Sequence, residues 1–179
     1  NIVTQKEMGI LVERFLKEYR PAASNTTVSL RILSTTDIHT NIMNYDYFQD
    51  STVNSLGLVK VSKLIEEARA EQPNTILVDN GDTIQGTPLG SYKALVDKLE
   101  EGEVHPSIAA MNYLDYDAAT YGNHEFNYGL EFLDEVTDDA AFPYISANVM
   151  DAQTKQHKYT PYVIIDKEGN FWFIDFNDF

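Results

Sequence analysis

The sequence of 179 residues contains no cysteine, and this absence excludes several classes of protein. Thiol catalysis, disulfide frameworks and cysteine-ligated metal sites all need a residue that the chain lacks. Basic residues are also scarce, because 13 Lys and Arg stand against 28 Asp and Glu and leave a formal net charge of −15. This balance argues against nucleic-acid polymers and anionic lipid surfaces as partners.

Long hydrophobic runs are missing too, since no stretch approaches the length of about eighteen apolar residues that a membrane span needs. The sequence therefore predicts no membrane-spanning segment. The apolar fraction of 43% is nevertheless ordinary for a globular protein, and the length suits one domain. Residues 1–20 predict an amphipathic helix that Pro21 ends, and Glu7 and Glu13 argue against a signal peptide there. We interpret residues 1–24 as this helix and a linker, left from a neighbouring domain.

From residue 25 onward, short apolar runs typical of strands alternate with segments of helical periodicity. The predicted strands are Val28–Ser34, Thr75–Val78, Asp117–Tyr121, Tyr144–Val149 and Tyr162–Ile165. The predicted helices are a segment capped by Ser55 that runs to Glu71, then Leu89–Leu99, Pro106–Leu114 and Leu130–Val136. The alternation predicts a layered α/β domain. The acidic runs Asp97–Glu103 and Glu131–Asp139 are interpreted as solvated helix faces.

Polar clusters follow three of the predicted strands. Asp37 and His39 come after the first, Asp82 follows Gly81 after the second, and Asn123 with His124 comes after the third. The carboxyl ends of strands in α/β folds face one crevice, so these side chains should converge. Asp37 and His39 are two residues apart, so on extended chain they would project to the same side. Carboxylate, imidazole and amide ligands suit zinc, manganese or iron.

Each of these residues also has an ordinary structural explanation when it is taken alone. His39 could be a hydrogen-bonded loop residue, Asp82 a helix cap and Asn123 a turn residue. Their order along the chain, each at a strand end, is what favours a shared metal site. Two other features stay open between function and structure. Tyr45, Tyr47 and Phe48 could line the crevice or cover the core, and Thr87–Pro88 could shape a phosphate pocket or simply begin a helix.

The clusters and their surroundings resemble a known family. The segments TTDIHTN, DNGDTIQGTPLGSY and YGNHEFNYGLEFL are similar to the signature of the calcineurin-like metallophosphoesterases. Within it they resemble the bacterial 5′-nucleotidase group, and most of all its 2′,3′-cyclic-nucleotide 2′-phosphodiesterase/3′-nucleotidase branch. The resemblance runs from about Leu30 to Ile165. It implies a layered α/β/β/α sandwich of which residues 25–170 supply about the first half, with residues 171–179 unassigned.

The resemblance also implies a role for each site residue. Asp37 and His39 would bind a first divalent ion, Asp82 would bridge two ions, and Asn123 would bind the second. The ions would be manganese, zinc, iron or cobalt. His124 would not be a ligand but would face the phosphate of a nucleotide substrate, with Asn123 beside it in the catalytic group. Where many relatives have Asp, this chain has Asn127, which brings no charge and leaves the protonation of His124 open.

Two parts of the family pattern are absent from the sequence. The later Gly-His and Gly-His-x-His motifs that complete the metal site do not occur, and His157 lies in neither motif. The separate nucleotide-specificity domain is missing as well. We therefore expect either a hydrolase of 2′,3′-cyclic nucleotides and 3′-nucleotides, a 5′-nucleotidase or UDP-sugar hydrolase, or a catalytically incomplete metal-binding fragment. The resemblance implies a periplasmic or cell-surface location.

Overall fold

The computed structural model describes residues 27–176, so the helix predicted in residues 1–20 lies outside the described part. At the centre is a four-stranded sheet in which all neighbouring strands run parallel. In their order across the sheet, its strands are β1 (Arg31–Thr35), β4 (Thr75–Asp79), β5 (Ala118–Thr120) and β6 (Tyr144–Ile145). Two small antiparallel pairs are β2 (Tyr45–Asp46) with β3 (Ser51–Thr52), and β7 (Tyr162–Lys167) with β8 (Asn170–Asp175).

The strand β4 shows why the sequence folds this way. All five of its residues, TILVD, are buried, because the strand lies between β1 and β5 and both faces of the sheet are covered there. The predicted strand Thr75–Val78 is thus confirmed and gains Asp79. Three other predicted strands are shorter in the structure, and the one expected to reach Val149 ends at Ile145. The strand predicted over Tyr162–Ile165 is longer and runs to Lys167. Strand β8 lies in the segment that the sequence left unassigned.

Within residues 27–176, four α-helices connect and cover the strands: α1 (Leu58–Glu71), α2 (Pro88–Leu95), α3 (Pro106–Tyr113) and α4 (Leu130–Asp138). Helix α1 begins after Gly57, so the prediction that Ser55 caps it is wrong. The first two amide groups of α1 instead donate to Asn41 O and Ile42 O, which satisfies them without a side-chain cap. Thr87 caps α2, because its hydroxyl accepts from Gly90 N.

The acidic run Asp97–Glu103 is not a helix face, because α2 ends at Leu95. Two of its carboxylates bind the buried Lys93, whose Nζ lies 2.9 Å from Asp97 Oδ2 and 2.7 Å from Glu103 Oε1. These two contacts with opposite charges raise the pKa of Lys93. A buried ammonium needs such partners. The run therefore contributes to packing as well as to solubility.

The sheet has a different layer on each face. On one face the helices pack over Leu77 and Ala119, and this larger core includes Ile65, Met111 and Leu133. On the other face the β7–β8 hairpin covers Ile76, Val78 and Ala118 with its inner residues, among them Ile165, Trp172 and Ile174. The described residues thus form a helix layer, a sheet and a second, smaller sheet. This is a mixed α/β architecture, as the sequence predicted.

The outer face of the β7–β8 hairpin is exposed and apolar. Tyr162 stacks on Phe173 with ring centroids 4.9 Å apart, and Ile164 and Phe171 lie on the same face. Within residues 27–176 no helix covers this face, so the last layer of the expected α/β/β/α sandwich is not found in the described part. None of the helices described is long and apolar enough to cross a membrane.

A fully buried histidine begins α3. The Nδ1 atom of His105 accepts from Ser107 N at 3.2 Å, and its ring meets the edge of Phe132. The Nε2 atom must therefore carry the proton, and it has no hydrogen-bond partner in the described part of the chain. Burial lowers the pKa of His105 from 6.5 to about 4, with a further lowering from Lys93 that Glu103 opposes. The folded protein thus holds this imidazole neutral.

The neutral His105 makes a pH dependence of stability predictable. Because its pKa is lower in the folded than in the unfolded chain, stability is intact above about pH 6.5 and is lost as the pH falls towards 4. The loss should be about 3 kcal/mol. Urea unfolding of the metal-free chain at pH 7 and pH 4 measures it. In His105→Asn, which keeps an acceptor at the helix start, the free energy of unfolding should fall by about 3 kcal/mol less between pH 7 and pH 4 than it does in the wild type. An equal decrease in both proteins would contradict the assignment.

Candidate metal centre

The candidate site lies where three parallel strands end. Asp37 follows β1, Asp82 follows β4 and Asn123 follows β5. The first two loops are joined by backbone hydrogen bonds beyond the strand ends: Asp37 N donates to Gly81 O at 3.0 Å, and His39 N donates to Asp82 O at 2.9 Å. These bonds hold one ligand-bearing loop against the other.

The structure brings three potential ligands together. One ligand atom from each of Asp37, His39 and Asp82 lies within 4.8 Å of the others. His39 Nε2 and Asp37 Oδ1 are 3.5 Å apart, which matches two atoms facing a common ion rather than a hydrogen bond to each other. Asp37 is the exposed member, and the other two are partly buried.

The local conformation differs from the expectation of an extended chain. Asp37, His39 and Asp82 have φ values of 53°, 48° and 59°, which lie in the left-handed region. Non-glycine residues rarely adopt this region, and strain of this kind is concentrated at functional sites. The ligands therefore converge through tight loops that long-range hydrogen bonds fix, not through the alternation of a strand.

The imidazole of His39 is held in one orientation. Its Nδ1 donates to the carbonyl oxygen of Gln85 at 2.6 Å, which leaves Nε2 without a proton and free to bind a metal. Gly86 lies directly against the ring, because a Cβ added there would be 2.9 Å from Nδ1. The loop after Asp82 thus both orients this ligand and closes over it.

Asn123 and His124 lie at the third strand end. A cleft of about 320 Å³ is lined by Asn123 together with Asp37, Asp82 and their neighbours Thr36, Asn80, Gly81, Gly122 and Phe126. His124 N donates to Asp82 Oδ1 at 2.8 Å, and the rings of His124 and His39 are 5.5 Å apart. Asp37, Asp82 and Asn123 thus line one cleft, while His39 and His124 lie beside these residues without lining it.

Asn127 determines which nitrogen of His124 is available. Its Nδ2 donates to His124 Nδ1 at 3.0 Å, so that nitrogen is an acceptor and Nε2 carries the proton. Asn127 thus orients the imidazole through a neutral hydrogen bond. A protonated Nε2 can serve as a hydrogen-bond or proton donor to a bound anion.

Two buried carboxylates next to the ligands were not singled out from the sequence. Asp79, at the end of β4, accepts from the hydroxyls of Thr35 and Thr83 at 2.6 Å each. Burial raises its pKa to about 6, against these opposing hydrogen bonds. Glu125 is fully buried and accepts from the backbone of Asp82, Thr83, Ile84 and Gly122. Burial raises the pKa of Glu125 too, opposed by those bonds. The sequence feature that could have identified Glu125 is its position three residues after the turn glycine Gly122, which is the spacing of a capping glutamate.

Other candidates do not join the cleft. His157 pairs with Met150 in an isolated bridge, and it is absent from the ligand cluster. The side chain of Phe48 is 89% exposed, so this aromatic does not cover the core. Thr87 caps α2, which agrees with the plain helix start rather than with a phosphate pocket.

The donor set fits a divalent metal. It combines carboxylate oxygens with an imidazole nitrogen whose other nitrogen is fixed by a carbonyl, and Asn123 lines the cleft next to them. Asp37 and Asp82 carry charges of the same sign at close range, and a cation between them would relieve their repulsion. Asp37, His39 and Asp82 could thus hold a divalent ion.

Comparisons with known proteins agree with this geometry. Residues 30–177 match the family described as calcineurin-like phosphoesterase, and the chain therefore belongs to this family. It is 50% identical over 149 residues to the 2′,3′-cyclic-nucleotide 2′-phosphodiesterase/3′-nucleotidase of Salmonella typhimurium, covering 80% of this chain and 23% of that protein. It is likewise 50% identical to the trifunctional nucleotide phosphoesterase protein YfkN of Bacillus subtilis over 151 residues, covering 80% of this chain and 10% of YfkN.

The fold is confirmed by solved structures. The crystal structure of calcineurin-like phosphoesterase YfkN from Bacillus subtilis superposes with a TM-score of 0.70 at 48% identity. The superposed region covers 81% of this chain and 46% of the YfkN chain. This chain spans less than a quarter of the length of the first curated relatives it matches, from their N-terminal part. The metallophosphatase fold expected from the sequence is therefore correct for the portion present.

The close contact between two ligand-bearing turns gives a prediction. A Cβ at position 122 would lie 2.3 Å from Asp82 Oδ1 and 2.7 Å from Asp82 N, so Gly122→Ala must displace Asp82. We expect this variant to lose about 10-fold or more in Mn²⁺ affinity, measured by calorimetric titration of the chain.

The matched control is Gly102→Ala, at a position where an added Cβ meets nothing within 4 Å. Gly102 has φ 81°, so the control should lose about 1 kcal/mol of stability through backbone strain and keep its Mn²⁺ affinity. Unchanged Mn²⁺ binding by Gly122→Ala would show that Asp82 is not held as described.

Proposed function

We propose that this chain is the N-terminal part of the catalytic domain of a two-metal nucleotide phosphoesterase that hydrolyses 2′,3′-cyclic nucleotides and 3′-nucleotides. The observation that carries the proposal is the convergence of Asp37, His39 and Asp82 at the ends of parallel strands. The family membership of the chain supports it. The activity is proposed for a protein that contains this chain together with the remaining length of its relatives.

The metal ligands would be divided between two positions. Asp37 and His39 would hold the first ion, Asn123 would hold the second, and Asp82 would contribute to both. Two such ions, when bound, would supply a nucleophilic water and neutralise charge on the phosphoryl group. The chain has a net charge of −15, and among the described residues no Lys or Arg lines the cleft. The positive charge of the ions would therefore be what attracts the phosphate.

His124 would act on the substrate rather than on the metal. Its backbone amide binds Asp82, which fixes its position, while Asn127 fixes its ring and leaves the proton on Nε2. That proton can be donated to a phosphate oxygen or to the departing hydroxyl oxygen as the phosphorus–oxygen bond breaks. His124 thus supplies the donor, and Asn127 supplies its orientation.

The substrate preference is supported by degree of identity. Relatives named 2′,3′-cyclic-nucleotide 2′-phosphodiesterase/3′-nucleotidase reach 50% identity, whereas those named 5′-nucleotidase from Vibrio species reach 31%. A 5′-nucleotidase or UDP-sugar hydrolase of the same family is therefore the second candidate. Phosphate release by the complete protein from a 2′,3′-cyclic nucleotide, a 3′-nucleotide, a 5′-nucleotide and a UDP-sugar separates the two.

Removal of metal tests the reaction type. Because the ligands are carboxylate, imidazole and amide groups, exhaustive chelation should abolish phosphate release by the complete protein, and added Mn²⁺, Zn²⁺ or Co²⁺ should restore it. The measurement is phosphate released per protein before and after each addition. Hydrolysis that survives verified removal of metal would refute the proposal.

Separate variants test the division of roles. Asp82→Ala should lose both bound metal and turnover, because its carboxylate faces the shared position. His124→Ala should keep its metal while turnover falls by about 10²–10⁴-fold, the range for one acid–base or electrostatic group. Metal content per protein and steady-state rates measure the two effects. If His124→Ala also empties the site, His124 is a ligand and the assignment is wrong.

A further inference from the structure

The Gly81–Thr83 turn and the Gly122–Glu125 turn are in direct main-chain contact. A Cβ added at Gly81 would lie 2.3 Å from Gly122 N, so no side chain fits between them. One turn carries Asp82 and the other carries Asn123. The distance between these two groups is therefore set where the backbones touch.

The carboxylate of Glu125 spans this contact. Its Oε2 accepts from Asp82 N at 2.7 Å and from Gly122 N at 2.6 Å, so a single oxygen joins the two turns. Its Oε1 accepts from Thr83 N and, at 3.3 Å, from Ile84 N. An ionised carboxylate offers about four acceptor positions, and four backbone amides occupy them here.

The charge of Glu125 is met by backbone amides alone. The side chain is fully buried, and within residues 27–176 it forms no ion pair with Lys, Arg or His. An unpaired buried carboxylate is expensive, and an amide or apolar side chain would avoid that penalty. No neutral side chain, however, supplies two oxygens that accept from converging donors. A carboxylate is therefore needed at position 125 because it provides acceptor sites for all four backbone amides.

We infer that Glu125 is a positioning residue, whose carboxylate holds the Asp82 turn and the Asn123 turn in the relative position that metal binding requires. This inference rests on the metal site of the proposed function. Within residues 27–176, the hydrogen bonds of Glu125 go to backbone amides and not to a ligand side chain, so it acts through the amides of Asp82 and Gly122. Its role is distinct from that of Asn127, which orients a ring.

Glu125→Gln is the sharpest test, because it keeps the size of the side chain and removes one acceptor oxygen. The new NH₂ group would face two backbone N–H donors, and the turns would separate. We expect Co²⁺ affinity of the chain to fall by about 10–100-fold, the range for loss of a group that orients ligands. The visible absorption of bound Co²⁺ should also change, because it reports ligand geometry. Glu125→Asp, which keeps both oxygens on a shorter side chain, should recover part of the affinity.

Asp117→Asn is the matched control. Asp117 is a partly buried carboxylate that also accepts a backbone N–H, from Leu77 at 2.8 Å, and it pairs with Lys167. It precedes β5 and so lies at the opposite end of the sheet. This variant should lower thermal stability and leave Co²⁺ affinity and absorption unchanged. If Asp117→Asn weakens Co²⁺ binding as much as Glu125→Gln does, or if Glu125→Gln binds Co²⁺ like the wild type, the inference is overturned.

Amide hydrogen exchange of the metal-free chain tests the positioning role of Glu125 independently of metal binding. The amides of Asp82, Thr83 and Gly122 should be protected in the wild type and exchange about 10-fold or more faster in Glu125→Gln. Equal exchange in the two proteins would refute the positioning role. A wild-type chain that takes up no Co²⁺ would instead contradict the metal site of the proposed function, while the exchange data would still decide the role of Glu125.

Discussion

Parallel pairing of β4 with β1 on one side and β5 on the other is the interaction on which the rest of the structure depends. The pairing aligns Thr35 with Asp79 and Asp79 with Ala119, so the three strands end nearly level. Because all three run in the same direction, their following loops must emerge at one edge, where each contributes a polar cluster. The hydrogen bond from Asp37 N to Gly81 O then continues the contact past the last strand residues. The location of the site is thus a consequence of strand direction.

Negative charge is concentrated at this edge, and the protein tolerates it in two different ways. Asp79 and Glu125 are buried and are stabilised by hydroxyl and amide donors that belong to the fold. Asp37 and Asp82 face the cleft, where such donors are fewer and a cation can approach. The first pair therefore maintains the loops whether or not metal is bound. In the proposed function, the second pair would instead bind the metal.

The sequence predicted most elements of the fold because their signals are local. The apolar run of β4 and the periodic pattern of α1 are each contained in one segment, and both segments formed as expected. The predicted cap at Ser55 failed because the amides of Leu58 and Val59 bind carbonyl groups of Asn41 and Ile42, a loop more than a dozen residues away. Residues near the helix start give no indication of hydrogen-bond partners that lie so far away in the sequence.

The candidate site was predictable to the same degree. Asp37, His39 and Asp82 could be found because polar groups at strand ends are conspicuous against apolar runs. Their left-handed backbone could not, because hydrogen bonds to a distant turn impose it. Glu125 was passed over for a similar reason. A glutamate after a turn is unremarkable by itself, and only the folded chain shows that its four donors come from two loops.

The absence of side chains at Gly81 and Gly122 has a mechanical consequence. Elsewhere in a protein, side chains between two loops can change rotamer and absorb a small displacement, but here main chain meets main chain. A shift of one turn must therefore be passed to the other, and the two turns move as one body. The span between Asp82 and Asn123 is then insensitive to repacking of the surrounding core, so substitutions there would change how firmly the protein is folded before they change the spacing of its ligands.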